Sequence, residues 1–575
     1  MNSIGFNNFR RFASFPEMDL GDITLLVGGN NSGKSTLVKA LLLCIDNARL
    51  MTVGTKDSAI KSPKFRFDAN EWHDVKIKTF SRAIHNRPAH SLDPLDDELS
   101  LPTEMRFTFT LGNFKFIIDV KGDRDKDEVT GEVSFISIED RENMVQYTIS
   151  YETHSMSYSV LGSTTERETL VKRLYKDYVA AKKSLEVLSE AGDDIAAISA
   201  QNEKVASLEK RIEEFIVPEG NEPPENFDYE HALKQTAREF LKTRYTATTW
   251  DLNLQDFGDI LNENLFLHVI NNFIGFAKHP GEAQPSGIKD PEEAGLRMQA
   301  WINNEKARKA LKQEIDKMKK SHDDLALLLN SINIEYITAH AANQNTIYNT
   351  ADRNDYIAQT VHEFVRAKIA IGEDEYVFVR EWMNEFGVGS DFSIMSIDGE
   401  AYRVKVRDTD GSEVNLADKG MGSIQMMILL LRLATILRIN RLRNIAAHGL
   451  FIEEEFLPTI IIEEPEQNLH PRLQSKLADL FNFLNKKYHC KFIVETHSEY
   501  LIRKTQVIVS ENDYIDEKDL EENNPFKVYY FPCEDIPYMM QYTRSGRFAN
   551  KFGEGFFDEA GKSNLITLRK EKGLK

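Results

Sequence analysis

A glycine-rich segment near the N-terminus combines residue types suited to binding phosphate. Residues 28–35 read GGNNSGKS and fit the pattern G-x-x-x-x-G-K-[ST]. The glycines allow backbone N–H groups to turn inward around a polyphosphate, and the N-terminus of the following helix adds partial positive charge. The terminal amine of Lys34 can reach the β- and γ-phosphates, and the hydroxyl of Ser35 can ligate Mg²⁺. The predicted phosphate-binding residues are Gly28, Asn30, Asn31, Ser32, Gly33, Lys34, Ser35 and Thr36.

Two adjacent carboxylates follow an apolar run in the second half of the chain. Residues 459–463 read TIIIE, which predicts a buried strand ending in Glu463, and Glu464 comes next. An acidic residue leaving a strand beside a phosphate loop suits Mg²⁺, so Ser35 and Glu463 are the predicted metal ligands. Glu464 can polarise an attacking water. The alternative interpretation is that the pair is only a polar strand cap.

A third apolar run, residues 491–498 with the sequence KFIVETHS, carries His497 at its end. A neutral imidazole at this place can hydrogen-bond a γ-phosphate and respond to its loss. A lone histidine is more often structural, but its place after a strand of this kind favours the functional interpretation.

Composition limits the class of protein. The chain has 575 residues, 41% of them hydrophobic, with a net charge of −20 and three cysteines far apart in sequence. No apolar run is long enough to span a membrane, and the N-terminus lacks the apolar core of a signal peptide. We therefore expect a cytoplasmic protein with reduced thiols and no membrane contact. The excess of acidic residues argues against nucleic-acid binding over the whole protein surface. It is compatible with binding at a local basic groove.

The elements around these motifs indicate an α/β head interrupted by a helical block. The apolar run 25–27 predicts a strand before the phosphate loop, and an amphipathic helix follows the loop. Residues 104–160 alternate apolar and polar side chains, which is typical of a β-meander. Two apolar helical stripes in residues 165–216 predict a coiled-coil hairpin, although a packed helical pair within a globular domain is the alternative. Strands near 333–337, 393–397 and 402–406, with helices at 355–385 and 423–439, then return to α/β.

This organisation predicts three regions: an N-terminal part of the head at 1–160, a helical insertion at 161–330, and a C-terminal part of the head with a tail at 331–575. The insertion carries seven basic residues between Lys306 and Lys320. They suit a helix facing DNA or RNA, but a solvated helix face is the more common outcome. Lys34 and Glu463 lie 429 positions apart, which also suggests a head split by an inserted arm.

These motifs, in this order and spacing, resemble those of the RecF/SMC/ABC-type AAA ATPases. The phosphate loop, the run IIIEEPEQNLHP and the run IVETHS carry the resemblance over roughly residues 1–120 and 330–560. The similarity is greatest to the OLD-like branch of bacterial anti-phage defence, in particular PtuA of Septu and retron-linked systems. The C-terminal sequence beginning GRF and ending GFFDE resembles the tail of one group of these ATPases. The resemblance implies an ABC/SMC-type P-loop ATPase head with an inserted arm.

Carried over to this sequence, the resemblance implies ATP and Mg²⁺ as cofactors, Glu464 as catalytic base and His497 as switch residue. The family's signature loop falls on residues 416–423, where Gly420, Gly422 and Ser423 would contact the ATP of a second subunit. Head-to-head homodimers or higher oligomers follow from this arrangement. Two departures lead us to expect slow or partner-gated hydrolysis. No glutamine occurs between Thr36 and Val145 to serve as the Q-loop residue, and Ala417 replaces a frequent serine.

The chain lacks the nuclease domain that OLD and Gabija proteins carry after the head, so a separate HNH-type nuclease is the expected partner. The first hypothesis is therefore an ATPase subunit of an anti-phage complex that controls this nuclease. The alternatives are a RecF-like DNA-repair ATPase and a scaffold that binds ATP without turnover.

Overall fold

We analysed a computed structural model of the 575-residue chain. The structure describes residues 2–52, 64–68, 77–90, 99–143, 145–150, 155–160, 174–175, 177–185, 195–216, 229, 232, 249–250, 320–321, 324–325, 327–329, 331–338, 346–349, 351–352, 355–449, 456–533, 536–554, 556–558 and 562–563.

The strands are β1 (Ser3–Phe9), β2 (Phe12–Asp19), β3 (Ile23–Gly28), β4 (Lys64–Arg66), β5 (Ala89–His90), β6 (Leu99–Ser100), β7 (Glu104–Leu111), β8 (Phe114–Lys121), β9 (Thr130–Asp140), β10 (Val145–Ser150), β11 (Ser155–Val160), β12 (Thr249–Trp250), β13 (Ile334–Ile337), β14 (Tyr348–Asn349), β15 (Asp391–Ile397), β16 (Ala401–Arg407), β17 (Glu413–Asn415), β18 (Thr459–Glu463), β19 (Lys491–Thr496), β20 (Phe526–Phe531) and β21 (Tyr538–Met540). The helices are α1 (Lys34–Thr52), α2 (Phe80–Ala83), α3 (Ile195–Ile216), α4 (Tyr356–Arg366), α5 (Asp374–Glu385), α6 (Met421–Gly449), α7 (Pro471–Tyr488), α8 (Glu499–Ser510) and α9 (Glu517–Asn523).

A six-stranded sheet in the order β13-β18-β19-β3-β20-β21 positions the predicted site. Its first five strands are parallel, and β21 is antiparallel to β20. Parallel strands end at the same edge of a sheet, so the segments that follow β3, β18 and β19 are neighbours. The chain therefore brings its two distant halves together at one sheet edge.

Both faces of this sheet are covered, which explains the consecutive apolar residues in its strands β3, β18 and β19. Alternate residues enter two different cores. Leu26 and Ile493 join the cluster that contains α1 and the antiparallel sheet. Leu25 and Val494 join the cluster that contains α6, α7 and α8. A charged side chain within such a strand therefore needs a specific partner.

A nine-stranded sheet in the order β12-β11-β10-β9-β8-β7-β1-β2 lies on the α1 side, with β4 paired to β9. Its pairings from β1 to β11 are antiparallel, as the alternating pattern predicted for residues 104–160. A smaller sheet of β14–β17 follows, with β15 and β16 close to the predicted bounds. The helix predicted at 355–385 is two helices, α4 and α5, because the chain turns at residues 367–373.

The predicted α/β fold class is confirmed, and the division into three regions stays a prediction. Within the insertion, Leu174, Tyr178 and Ala181 pack against Val205, Leu208 and Ile212. These are residues of the two predicted apolar stripes. Of the basic segment between Lys306 and Lys320, only Lys320 belongs to the described residues, where it pairs with Glu142 at 3.2 Å.

The helix α6 is the one described helix that is long and apolar enough to cross a membrane by length and composition. Two thirds of its most apolar window is buried inside the molecule (67%). This burial is what a core helix shows, and α6 packs in the core beside α4 and α5.

Candidate nucleotide-binding site

Two glycines make the turn between β3 and α1 sterically possible. Gly28 has φ +155°, and a Cβ there would lie 2.4 Å from the carbonyl oxygen of Phe531. Gly33 has φ +108°, and a Cβ there would lie 2.5 Å from the ring of Phe12. Only glycine fits both positions without moving the surrounding backbone or ring. The loop is thus a tight cradle at the carboxyl end of β3, as the sequence predicted.

Lys34 begins α1 and is only 3% exposed. Its ammonium donates to the carbonyl oxygens of Gly28 at 3.1 Å and Gly29 at 3.0 Å. Burial lowers the pKa of Lys34, while the neighbouring Glu495 and Glu464 oppose that shift. The next residue, Ser35, is exposed in the first turn of the helix. The first-turn N–H groups of a helix have no intrahelical partner, so they are available to an anion.

Arg11 holds the phosphate loop from outside, and sequence reasoning missed it. It lies between β1 and β2, and its guanidinium donates to the backbone carbonyl oxygens of Asn31 and Cys533. Its guanidinium carbon lies 5.3 Å from the ring centroid of Phe12. One side chain therefore ties the loop after β3 to the segment after β20. Nothing in the local sequence around Arg11 predicts these long-range contacts.

The two predicted carboxylates lie where β18 ends. Glu463 is the last residue of β18 and is partly exposed. Glu464 adopts φ +44°, an uncommon value for a side chain other than glycine. Its backbone N–H donates to the carbonyl oxygen of Glu495 at 2.7 Å, and its carboxylate accepts from the amide of Gln467. The turn is thus fixed by hydrogen bonds, and strained turns of this kind concentrate at functional sites.

His497 lies beside Glu464, with 3.9 Å between its Nε2 and the Glu464 Oε1. Its backbone N–H donates to Glu466 Oε1 at 2.6 Å. Burial lowers the pKa of His497, the positive charge of Lys34 lowers it further, and the negative charge of Glu464 opposes both. The lowered pKa favours the neutral imidazole, which can still donate a hydrogen bond to phosphate.

Two further buried carboxylates were not predicted as site residues. Glu495 is 8% exposed, and its Oε1 lies 3.7 Å from the Lys34 ammonium. Burial raises its pKa to about 7, with Lys34 opposing and Glu463 and Glu464 adding to the rise. Glu466 is also 8% exposed, and burial raises its pKa. One sequence signal could have identified each of them. Glu495 is a charged residue that directly follows an apolar run, in IVET, and Glu466 lies in EEPE beside the two predicted carboxylates.

The predicted signature residues lie at the start of α6. Gly420 is exposed, while Gly422 and Ser423 are partly exposed. A Cβ on Gly422 would lie 2.5 Å from the carbonyl oxygen of Asn468, so this helix start packs closely on the segment after Glu464. The Asn468 amide also donates to Gln425 Oε1 at 3.1 Å. The structure therefore connects the signature residues to the carboxylate segment rather than to the phosphate loop of the same chain.

Residues 68–73 offer other polar groups in place of the missing Q-loop glutamine, and the structure describes only Asp68 among them. That carboxylate pairs with Arg66 at 2.8 Å. Hydrogen bonds from the Arg66 side chain lower the pKa of Asp68, against the effect of burial.

The residues present fit a magnesium nucleotide. The glycine cradle, the first-turn N–H groups of α1 and Lys34 suit phosphate oxygens. Among the described residues, no group of three or more His, Cys, Asp or Glu could hold a metal alone. Mg²⁺ does not need such a group, because it usually takes one or two carboxylates together with substrate phosphates and water. Ser35 and Glu463 offer a hydroxyl and a carboxylate for that purpose.

The parallel sheet and the phosphate loop form an α/β fold of the P-loop type. The chain belongs to the AAA ATPase domain family, whose model matches residues 1–502. No curated protein matches this sequence.

Several solved SMC head domains are among the structures that match this chain. The head from Pyrococcus furiosus, with an extended coiled coil and bound to the C-terminal domain of ScpA, is 10% identical, with a TM-score of 0.30 and 99% of each chain covered. The head from Pyrococcus yayanosii, with a coiled coil and joint, is 12% identical, with a TM-score of 0.31, covering 95% of this chain and 97% of that one. The head from Thermotoga maritima is 10% identical, with a TM-score of 0.27, covering 94% and 98%.

Proposed function

We propose that this protein binds ATP with Mg²⁺ and hydrolyses it slowly, as the ATPase subunit of an anti-phage complex. The observation that carries the ATPase part is the meeting of Lys34, Glu464 and His497 at one sheet edge. Their elements come from opposite ends of the chain, and β19 lies directly between β3 and β18. A purely structural role would not require a phosphate cradle, a carboxylate turn and a neutral imidazole at the same edge.

In the proposed reaction, residues 28–36 bind the phosphates, and Ser35 and Glu463 hold Mg²⁺. The metal neutralises charge on the phosphate oxygens when bound. Glu464 accepts a proton from the attacking water, which then forms the new bond to the γ-phosphorus as the bond to the leaving β-phosphate oxygen breaks. Neutral His497 hydrogen-bonds the γ-phosphate. The 3.9 Å separation between His497 Nε2 and Glu464 Oε1 supports this division of roles.

We further propose that two copies meet head to head. Gly420, Gly422 and Ser423 form an exposed or partly exposed helix start, next to the segment that carries Glu464. In a dimer, this start would contact the nucleotide held by the other copy. Binding and association would then be coupled, because each nucleotide would contribute to the interface.

A Glu464→Gln variant tests the ATPase part. It keeps the shape of the side chain but cannot accept the proton, so we expect phosphate release to fall at least about 100-fold, the lower range of general-base effects. ATP should remain bound, and dimers should accumulate in light scattering. Lys34→Ala is the matched control that should lose ATP binding as well. Turnover by Glu464→Gln at the wild-type rate would remove Glu464 from its proposed role.

A scaffold that binds ATP without turnover is the second candidate, because Ala417 removes a hydroxyl from the signature loop. The two candidates differ in phosphate release by wild-type protein. Release in the presence of Mg²⁺, lost in Glu464→Gln, supports the enzyme. Its absence with the partner and with DNA present supports the scaffold.

The proposed biological role rests on the resemblance of the motifs to the PtuA-type ATPases of Septu and retron-linked systems. The proposed partner is an HNH-type nuclease, restrained while ATP is bound. Co-expression with the product of a neighbouring nuclease gene, followed by co-purification, tests this partner. Neighbouring replication genes and no co-purifying nuclease would favour a RecF-like role in DNA repair. Contact of the Lys306–Lys320 segment with DNA or RNA also stays a proposal.

A further inference from the structure

Glu495 is a carboxylate in β19 that directly follows the apolar residues 492–494. It is the fifth residue of β19, and its backbone is in register with Glu463 on one side and Leu26 on the other. The residue is 8% exposed, and one of its two oxygens, Oε2, is buried without a hydrogen-bond partner. A carboxylate is kept in such surroundings only if a nearby positive charge or donor compensates the loss of water.

The compensating group is Lys34. Its ammonium lies 3.7 Å from Glu495 Oε1, and both side chains are almost completely buried. The same ammonium donates to the carbonyl oxygens of Gly28 and Gly29 at 3.1 and 3.0 Å. An ammonium group has three hydrogens. Two carbonyl oxygens therefore accept hydrogens of this ammonium, and Glu495 faces it at ion-pair distance, 3.7 Å.

This arrangement places a negative charge in direct competition with phosphate. The two carbonyl oxygens that accept from Lys34 are neutral, so Glu495 is the group that offsets its charge. A phosphate that approaches Lys34 must compete with Glu495 for that positive charge. Glu463 and Glu464 lie nearby and add negative potential, as their effect on the Glu495 pKa shows.

We propose that Glu495 is a positioning residue that competes with the phosphates for Lys34 and so holds nucleotide affinity low. This inference rests on the proposed nucleotide site, and it assigns to one residue a role in regulating that site. It also makes binding depend strongly on Mg²⁺, because the metal reduces the repulsion between the polyphosphate and the three carboxylates. A partner that separates Glu495 from Lys34 would raise the affinity without touching the nucleotide.

The test is a fluorescence titration of full-length protein with N-methylanthraniloyl-ATP at pH 8. We expect Glu495→Gln to bind about tenfold more tightly in EDTA, equivalent to about 1.4 kcal/mol. With Mg²⁺ the gain should be smaller, about threefold, because the metal already offsets the carboxylates. Glu495→Asp keeps the charge and should return the affinity towards that of the wild type.

Glu499→Gln is the matched control. Its carboxylate lies four residues further on, is exposed, and pairs with Arg503 rather than Lys34. Its dissociation constant should equal that of the wild type. Circular dichroism of each variant shows whether the head is folded. A folded Glu495→Gln that binds as the wild type does, or more weakly, would overturn the inference.

The failure of the inference differs from that of the proposed function. Equal binding by wild type and Glu495→Gln overturns the role of Glu495 alone. Binding by neither protein, with or without Mg²⁺, overturns the nucleotide site and the inference together. Binding by Glu495→Gln alone supports both the nucleotide site and the role of Glu495. It would show that the carboxylate keeps the affinity of the wild type too low to detect.

Discussion

The close approach of Phe12 to Gly33 gives a sharp prediction for the substitution Gly33→Ala. The added methyl group would begin 2.5 Å from two ring carbons of Phe12, at a residue with φ +108°. The unfavourable φ costs about 1–3 kcal/mol for a residue with a Cβ. Overpacking against a buried ring costs a further ~1–3 kcal/mol. Together these effects lower the free energy of unfolding by about 2–6 kcal/mol, and the shifted loop should also lose nucleotide binding.

Three other glycines separate the two effects. Gly372 has φ +92° with nothing within 4 Å of its Cβ position, so Gly372→Ala adds strain without a clash. Gly122 has an ordinary φ, but its Cβ would meet the ring of Phe80 at 2.5 Å, so Gly122→Ala adds a clash alone. Gly420 has neither feature and serves as the control for stability.

Urea unfolding followed by far-UV circular dichroism measures these effects. We expect the midpoint to fall least for Gly420→Ala, more for Gly372→Ala and Gly122→Ala, and most for Gly33→Ala. The loss at Gly33 should be close to the sum of the other two, because strain and clash are separate causes. A Gly33→Ala midpoint equal to that of Gly420→Ala would refute the steric reasoning for the loop.

Three further predictions concern buried charges and a helix cap. Burial raises the pKa of Glu466 above its unfolded value, so its stabilising contribution is complete below about pH 4.3 and is lost as pH rises through the folded pKa. Glu466→Gln should therefore lose less stability than the wild type when the pH is raised from 5 to 8, as measured by thermal unfolding. An identical loss would show that the raised pKa of Glu466 is not the cause. Arg441→Met should lower stability by about 1–3 kcal/mol, because Glu375 accepts its bonds at 2.8 and 3.1 Å and would stay buried without them. The double variant with Glu375→Gln should recover part of that loss, and no recovery would show that the pair is not the cause. Asp355→Ala should cost about 1 kcal/mol, because its carboxylate accepts from the N–H groups of Ile357 and Ala358 at the start of α4. Asp355→Asn, which retains an acceptor, should cost clearly less in the same urea assay.

Much of the fold was predictable because the patterns are local. The alternation in residues 104–160 marks strands whose two faces have different surroundings, and the structure has β7 to β11 there. The bounds of long helices were less predictable. The sequence suggested an end near Ile439 for the helix that extends as α6 to Gly449, because polar residues increase there while the helix continues. Arg438 pairs with Glu373, the N-cap residue of α5, and Arg441 pairs with Glu375 in the first turn of α5. Local periodicity carries no sign of such contacts.

The candidate site shows the same division. Lys34, Glu463 and His497 were predictable because each follows a short apolar run with a recognisable turn. Arg11, Glu466 and Glu495 were missed, because each contacts residues that are distant in sequence. Those contacts depend on the order and register of the strands, which the sequence did not predict. Arg11 reaches a carbonyl oxygen 522 positions away, at Cys533.

The sequence by itself determined the kinds of chemistry this protein can support, because a phosphate loop or a carboxylate after a strand is a property of a few consecutive residues. Tertiary structure alone decided which of these groups face one another. The order β18-β19-β3 places Glu495 between the carboxylate turn and the phosphate loop, opposite Lys34. That order is set by packing across the whole head, where burial of both sheet faces outweighs distance along the chain.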